Sequence, residues 1–226
     1  MKKVILIYGA PGAGKGTQAD LLSKKMGFYH FDTGKVIEQT INDAENLKDE
    51  NMRKEKELFD SGRLNTPAWV LKEVVIKKTE NLAKVGVRLV FSGSPRTLFE
   101  AFGDTENTGL VDVLEKLYGK ENMGILYIKV KPETSIFRNS NRAVCSVCGT
   151  PVLYQKDCAV ISCPLCDAPL RKRTLDKPET IKIRLEEYEN RTQPILEKLR
   201  ERGFEVNVID GEPAPFKVFE EIKKTI

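Results

Sequence analysis

Residues 4–17 read VILIYGAPGAGKGT, an apolar run that leads directly into a glycine-rich loop with a lysine near its end. The apolar run predicts a buried strand, and the pattern after the loop predicts an amphipathic helix. A loop of this kind can wrap its backbone N–H groups around a polyphosphate, while Lys15 reaches the terminal phosphates. We therefore expect a bound nucleoside triphosphate, and a tight turn that binds nothing is the alternative. The predicted loop comprises Gly9, Ala10, Pro11, Gly12, Ala13, Gly14, Lys15, Gly16 and Thr17.

The composition of the 226 residues is that of an ordinary globular protein. A formal net charge of +4 is spread along the chain without a basic block, which favours a small anionic ligand over nucleic acid. No apolar stretch approaches the roughly 20 residues that span a bilayer, so we expect no membrane partner. The N-terminus leads into the first predicted strand without a charged and then apolar leader, and we expect a cytoplasmic protein.

Four of the five cysteines form two Cys-x2-Cys pairs that are separated by fourteen residues. This is the spacing of a zinc ribbon, in which two tight turns supply four thiolates to one Zn2+. A site with four thiolates has no open position, so we expect a structural and not a catalytic metal. Reduced structural cysteines or disulfides are the alternative. The predicted ligands are Cys145, Cys148, Cys163 and Cys166, and Cys158 is left over as a plain residue between the pairs.

Strand and helix patterns alternate along the chain. Apolar runs predict strands at residues 4–8, 28–31, 87–91, 125–130 and 206–209. Helical patterns cover residues 17–26, 68–83 and 178–202, and Pro194 should kink or split the last of these. This alternation predicts an α/β fold with a five-stranded parallel sheet and helices on both faces. The ligand should lie at the carboxyl ends of the strands.

The string GAPGAGKGTQA resembles the phosphate loop of the adenylate kinases and related nucleoside monophosphate kinases, in which Gly16 follows the lysine and the hydroxyl arrives at Thr17. Further motifs follow in family order: HFDTG at residues 30–34, GRLNT at 62–66, and SGSPRT at 92–97. Arginines then flank the cysteine pairs, as they do in the family. The resemblance covers nearly the whole chain.

The resemblance implies a P-loop NTPase-type core with two insertions. The core would comprise residues 1–30, 67–140 and 178–226. A small helical insertion at residues 31–66 would bind the acceptor nucleotide, and a zinc-ribbon lid at residues 141–177 would cover the donor. The family is typically monomeric.

The resemblance also implies an activity, in which the terminal phosphoryl group of ATP passes to AMP and gives two ADP. Mg2+ would accompany ATP, with Thr17 as the nearest hydroxyl ligand. Arg138 would lie against the donor adenine, and Asp176 would belong to the lid. The residues of phosphoryl transfer would be Lys15, Arg96, Arg142, Arg173 and Arg184. The acceptor would meet Thr33, Gly34, Glu38, Arg63, Leu64, Asn65, Gly93, Ser94, Pro95, Arg96 and Glu100.

The chain departs from the family pattern mainly on the acceptor side. Glu38 replaces an arginine that binds the acceptor phosphate, and Glu100 replaces a glutamine that reads adenine. An ionised carboxylate only accepts hydrogen bonds, which fits guanine better than adenine. Ser92 and Leu175 replace two aspartates. Ser94 replaces a phenylalanine, and Asn65 a small apolar residue. Two alternatives therefore stay open: a related kinase with another acceptor such as GMP, and a catalytically silent nucleotide sensor or zinc-ribbon binding protein.

Overall fold

The computed structural model describes residues 1–43, 45, 48–152, 160–172 and 174–226. Its centre is a five-stranded sheet whose strands are all parallel. Their order across the sheet is β2 (Tyr29–Phe31), β3 (Leu89–Phe91), β1 (Val4–Tyr8), β4 (Met123–Lys129) and β8 (Val206–Asp210). The predicted five-stranded parallel sheet is thus confirmed, and each strand begins and ends within two residues of its predicted bounds.

Helices cover both faces of the sheet. Every residue of β1 is buried, because alternate side chains of this strand enter two different hydrophobic clusters, one on each face of the sheet. Val4, Leu6 and Tyr8 join the cluster under the helices of one face, and Ile5 and Ile7 join the cluster under the first and last helices. The helices are α1 (Lys15–Met26), α2 (Thr33–Ile41), α3 (Glu50–Ser61), α4 (Pro67–Trp69), α5 (Lys77–Lys84), α6 (Leu98–Phe102), α7 (Leu110–Tyr118), α8 (Pro132–Ser140), α9 (Pro178–Glu187), α10 (Pro194–Glu201) and α11 (Pro215–Lys223).

Two of the predicted long helices contain a wide π-helical segment. The segment Val70–Ile76 joins α4 to α5, and the segment Tyr188–Thr192 joins α9 to α10. In the second segment the Gln193 N–H bonds the Tyr188 carbonyl, five residues earlier. The next residue is Pro194, which has no N–H and crowds the preceding turn, so the wider turn accommodates it without ending the helix. The expected disruption at Pro194 is therefore a local widening.

The segment that carries the cysteine pairs forms a small sheet of its own. Its strands are β5 (Ala143–Cys145), β6 (Pro151–Val152) and β7 (Leu170–Arg171), and both neighbours of β5 run antiparallel to it. The segment between β2 and α4 contains α2 and α3. None of the helices among the described residues combines the length and the apolar character of a membrane span.

Candidate active site

A large cavity of about 1010 Å³ opens where β1 and β3 end. Parallel strands present their carboxyl ends at one edge, and the residues after each strand therefore meet there. Most of the residues predicted for catalysis and nucleotide binding line this cavity, whereas Ala10, Thr33, Glu100 and Asp176 do not. Arg173 and Cys158 fall outside the described residues. The predicted residues in its wall are Gly9, Pro11, Gly12, Ala13, Gly14, Lys15, Gly16, Thr17, Gly34, Glu38, Arg63, Leu64, Asn65, Gly93, Ser94, Pro95, Arg96, Arg138, Arg142 and Arg184.

The phosphate loop connects β1 to α1 and packs tightly on its outer side. A Cβ on Gly9, whose φ is +150°, would lie 2.5 Å from the Ile128 carbonyl oxygen. A Cβ on Gly12 would lie 2.6 Å from the Asn139 amide nitrogen. Toward the cavity the loop is open, because a Cβ on Gly16 would meet nothing within 4 Å. The glycines thus let the backbone press against the core while its inner side stays accessible to a ligand.

Lys15 stands at the start of α1 and points its ammonium group back over the loop. Its Nζ donates hydrogen bonds to the carbonyls of Gly9 at 2.7 Å and Ala10 at 3.0 Å. Burial, followed in order of effect by the positive charges of Arg96, Arg184 and Arg142, lowers the pKa of Lys15 to about 7. The group therefore lies in a strongly positive field, which an anionic ligand would neutralise.

A buried carboxylate holds two of the predicted arginines in place. Arg142 Nε donates to Asp176 Oδ2 at 2.8 Å, and its Nη2 donates to Oδ1. Arg184 Nη1 donates to the same Oδ1 at 3.3 Å and to the Leu175 carbonyl at 3.2 Å. The Asp176 side chain is fully buried, and within the described part of the chain its ion pairs are with these two arginines. Asp176 thus positions the two guanidinium groups from behind the cavity wall.

Two further predicted arginines, Arg96 and Arg138, are held by backbone carbonyls. Arg96 Nε donates to the Gly93 carbonyl at 2.7 Å, which keeps the guanidinium over the turn after β3. Arg138 donates through both terminal nitrogens, at 2.9 Å to the Gly211 carbonyl and at 3.0 Å to the Glu212 carbonyl. Arg138 therefore braces the loop after β8 while it lines the cavity.

The unexpected Asn65 has a local partner that the sequence did not indicate. Its amide nitrogen donates to the Glu55 carbonyl at 2.8 Å and to Glu55 Oε2 at 2.9 Å, and the Thr66 N–H donates to the same carboxyl oxygen at 3.0 Å. Both side chains are buried. Asn65 therefore ties α3 to the start of α4, which gives the residue a structural reason to be polar.

Glu100 lies in a small pocket that adjoins the large cavity. The pocket is also lined by Thr33, Leu64 and Asn65. Glu100 Oε2 accepts from the Arg96 N–H at 2.9 Å, and Oε1 accepts from the Thr97 hydroxyl at 3.3 Å. Each carboxyl oxygen keeps a further lone pair. Burial raises the pKa of Glu100 to about 6, although its hydrogen bond from the Arg96 backbone and the Arg96 charge oppose this change.

Two hydroxyl groups of residues in the walls of these two pockets are buried without a hydrogen-bond partner among the described residues. They belong to Thr33 and Ser94. Buried polar atoms normally have partners, so each exception calls for a ligand or water. Thr33 is in the wall of the small pocket and Ser94 in the wall of the large cavity. The region between them is therefore suited to a polar ligand.

Three side chains beside the phosphate loop form a chain of hydrogen bonds that is not among the predicted site residues. Asp20, His30 and Ser92 all line the large cavity. The two ring nitrogens of His30 lie 2.7 Å from Asp20 Oδ1 and 2.7 Å from Ser92 Oγ. The sequence shows the only histidine of the chain in a family-like motif, but nothing in its spacing joins it to Asp20 or Ser92.

The four paired cysteines converge at one point of the small sheet. Their sulfur atoms all lie within 4.8 Å of one another. Cys145 Sγ is 3.5 Å from Cys166 Sγ, and Cys148 Sγ is 3.6 Å from Cys163 Sγ. A tetrahedral Zn2+ with bonds of about 2.3 Å sets its sulfur ligands about 3.8 Å apart. The cluster therefore has the size and the ligand set that fit Zn2+.

Replacement of Glu100 tests the environment of its carboxyl group. Because the folded state holds this proton more tightly than the unfolded chain, the free energy of unfolding falls as pH rises from about 4.5 through about 6. The rise in the pKa of Glu100 from 4.5 to about 6 corresponds to about 2 kcal/mol of unfolding free energy. The free energy of unfolding can be measured with urea at pH 4 and at pH 7.5 for the parent chain and for Glu100→Gln. From pH 4 to pH 7.5, the stability of the variant should rise by about 2 kcal/mol relative to that of the parent. A difference between the two proteins that does not change with pH would contradict this assignment.

Comparison with known proteins agrees with these features. A sequence model described as adenylate kinase matches residues 7–204. An adenylate kinase of Caldicellulosiruptor saccharolyticus is 34% identical over 210 residues, which cover 92% of each chain. Adenylate kinases of Dehalococcoides mccartyi and Caldanaerobacter subterraneus are 32% and 33% identical, over 92% and 98% of this chain and 90% and 95% of theirs. With its phosphate loop, its arginines and its cysteine cluster in one fold, this chain belongs to the adenylate kinase family.

Proposed function

We propose that this chain transfers the terminal phosphoryl group of ATP to AMP and so forms two ADP. One observation carries the proposal: Lys15, Arg96, Arg142 and Arg184 converge on one cavity, closely enough for the three arginines to lower the lysine pKa. The transferring group carries negative charge on its peripheral oxygens, and preorganised cations stabilise that charge. Relatives named adenylate kinase support the same activity.

We assign roles to the charged residues by their position in the cavity. Lys15 would hold the terminal phosphates of the donor, since it lies on the phosphate loop. Arg96, on the turn after β3, would orient the acceptor phosphate. Arg142 and Arg184, joined through Asp176, would close on the transferring group. The resemblance to the family assigns the same role to Arg173, which lies outside the described residues. Planar guanidinium groups suit phosphate oxygens because they can donate two parallel hydrogen bonds.

Mg2+ would accompany ATP and neutralise part of the phosphate charge. The residues near the loop fit this ion, because the Thr17 hydroxyl lines the cavity next to Lys15 and offers an oxygen ligand. The hydroxyl of Ser92 stands where the family has an aspartate, so this chain would hold the ion with less negative charge.

Two segments would cover the bound nucleotides. Residues 31–66, which contain α2 and α3, would form the acceptor-binding domain, and residues 141–177 would form the lid over the donor. Residues 1–30, 67–140 and 178–226 would form the core. Closure of both segments would exclude water, which otherwise competes with the acceptor for the phosphoryl group. We also propose that the chain acts as a monomer in the cytoplasm, where its paired thiols stay reduced.

A second acceptor has a specific observation in its favour. The buried Glu100 carboxylate has lone pairs left on both oxygens, and guanine offers two neighbouring donors where adenine offers one donor and one acceptor. Glu38 also lines the cavity and would repel the phosphate of AMP and of GMP alike, so it does not distinguish the two acceptors. A kinase that also accepts GMP is therefore the second candidate. A silent nucleotide sensor is less favoured, because binding alone needs no converging arginines.

A panel of acceptors tests the proposed reaction. We expect the fastest ADP formation with Mg2+, ATP and AMP. The kcat/KM for AMP should be at least about tenfold above the values for GMP, CMP and UMP, which corresponds to a difference of ~1.4 kcal/mol in activation free energy. The Lys15→Ala variant serves as the blank. A preference for GMP would establish the second candidate, and no transfer to any acceptor would leave a nucleotide sensor.

The same panel with Glu100→Gln separates the two acceptors. An amide both donates and accepts, so the variant should raise kcat/KM for AMP relative to GMP by about tenfold or more. Glu106→Gln is the matched control, because Glu106 is exposed on the loop after α6. An unchanged ratio for Glu100→Gln would show that this carboxylate does not contact the acceptor base.

We further propose that the four paired cysteines hold one structural Zn2+. The purified protein should contain about one Zn2+ per chain, and removal of the ion with a strong chelator should lower the thermal midpoint. Cys163→Ser should lose the ion, whereas Cys158→Ser, outside the pairs, should keep it. Equal metal content in both variants would refute this ligand set.

A further inference from the structure

Asp20, His30 and Ser92 form a relay of hydrogen bonds with the geometry of an activated nucleophile. Asp20 Oδ1 lies 2.7 Å from His30 Nδ1, and His30 Nε2 lies 2.7 Å from Ser92 Oγ. A carboxylate can only accept, so Nδ1 carries the ring proton and Nε2 is left to accept from the Ser92 hydroxyl. The His30 side chain is only 12% exposed, which limits competition from water for these bonds.

The relay ends beside the phosphate loop. Strand β3 is the parallel neighbour of β1, and Phe91 pairs with Leu6. Ser92 is therefore level with Ile7, two residues before the loop begins at Gly9. Because both strands end at the same edge of the sheet, the Ser92 hydroxyl shares the cavity with the Lys15 ammonium group.

A cation also stands next to Ser92. The Arg96 guanidinium is fixed to the Gly93 carbonyl at 2.7 Å, one residue beyond Ser92. A group-transfer site requires a nucleophile with a base, a group that orients the base, and cations that stabilise the developing charge. The chain presents all of them where the terminal phosphates of ATP would lie.

We propose that Ser92 itself accepts the terminal phosphoryl group of ATP when no acceptor nucleotide is bound. Ser92 Oγ attacks the γ-phosphorus, the bond from that phosphorus to the β,γ-bridging oxygen breaks, and ADP leaves. The hydroxyl proton passes to His30 Nε2, and the products are phosphoserine, ADP and one proton. Asp20 is a positioning residue, since it orients the imidazole and stabilises its positive charge. This inference rests on the ATP site of the proposed function.

Incubation of the full-length protein with Mg2+ and γ-labelled ATP, without any acceptor, tests the proposal. We expect covalent label on the parent chain, localised to Ser92 by peptide mass spectrometry. Ser92→Ala should show no label above the Lys15→Ala background. Thr134→Ala, which removes another hydroxyl of the same cavity, should still carry the label. Label on any other residue would overturn the proposal.

Variants of the relay separate chemistry from folding. His30→Gln keeps a hydrogen-bonding side chain but cannot take up the proton, and it should slow labelling by about 100-fold or more. Asp20→Asn should also slow labelling, and Asp20→Glu should restore part of the rate. Thermal unfolding of each variant shows whether it folds. If Ser92→Ala does not fold, the site found in the parent chain decides the outcome.

The result also distinguishes failure of this inference from failure of the proposed function. A parent chain that forms ADP from ATP and AMP but carries no label on Ser92 would refute the phosphoserine and leave the kinase intact. A chain that neither binds ATP nor forms ADP would refute both.

Discussion

Repulsion among four cations is the constraint on which the site depends. Lys15, Arg96, Arg142 and Arg184 surround one cavity, and burial together with the three arginines lowers the lysine pKa to about 7. Such a cluster is unfavourable without an anion to offset it. Asp176 offsets part of it, since its fully buried carboxylate bonds two of the arginines from behind. The remaining charge faces the cavity, where the phosphates of two nucleotides would balance it.

The fold makes this arrangement possible because it brings distant parts of the chain to one edge of the sheet. The loop after β1 supplies Lys15 and the turn after β3 supplies Arg96. Arg142 follows α8, and Arg184 lies on α9, so both arrive from the borders of the small cysteine-bearing sheet. A structural Zn2+ at that sheet would fix the geometry of a segment with little apolar core of its own, and thereby the positions from which these arginines act.

Local patterns predicted much of this structure, and contacts between distant residues account for what they missed. The strands were visible as apolar runs because both faces of a parallel sheet are buried, and the glycine loop and the paired cysteines have short, characteristic spacings. The partnership of Asn65 with Glu55, the bridge at Asp176 and the relay from Asp20 through His30 to Ser92 depend on side chains that meet only after folding. The π-helical turn before Pro194 likewise depends on how the helix accommodates this proline, which has no backbone N–H.

The most direct measurement of the central claim starts from ADP alone. If both nucleotide sites accept adenine nucleotides and the cations act on the group between them, the protein with Mg2+ and ADP should form ATP and AMP in equal amounts until equilibrium is reached. Phosphorus NMR follows all three nucleotides in one sample. No ATP, or release of AMP with inorganic phosphate in its place, would contradict transfer between two bound nucleotides.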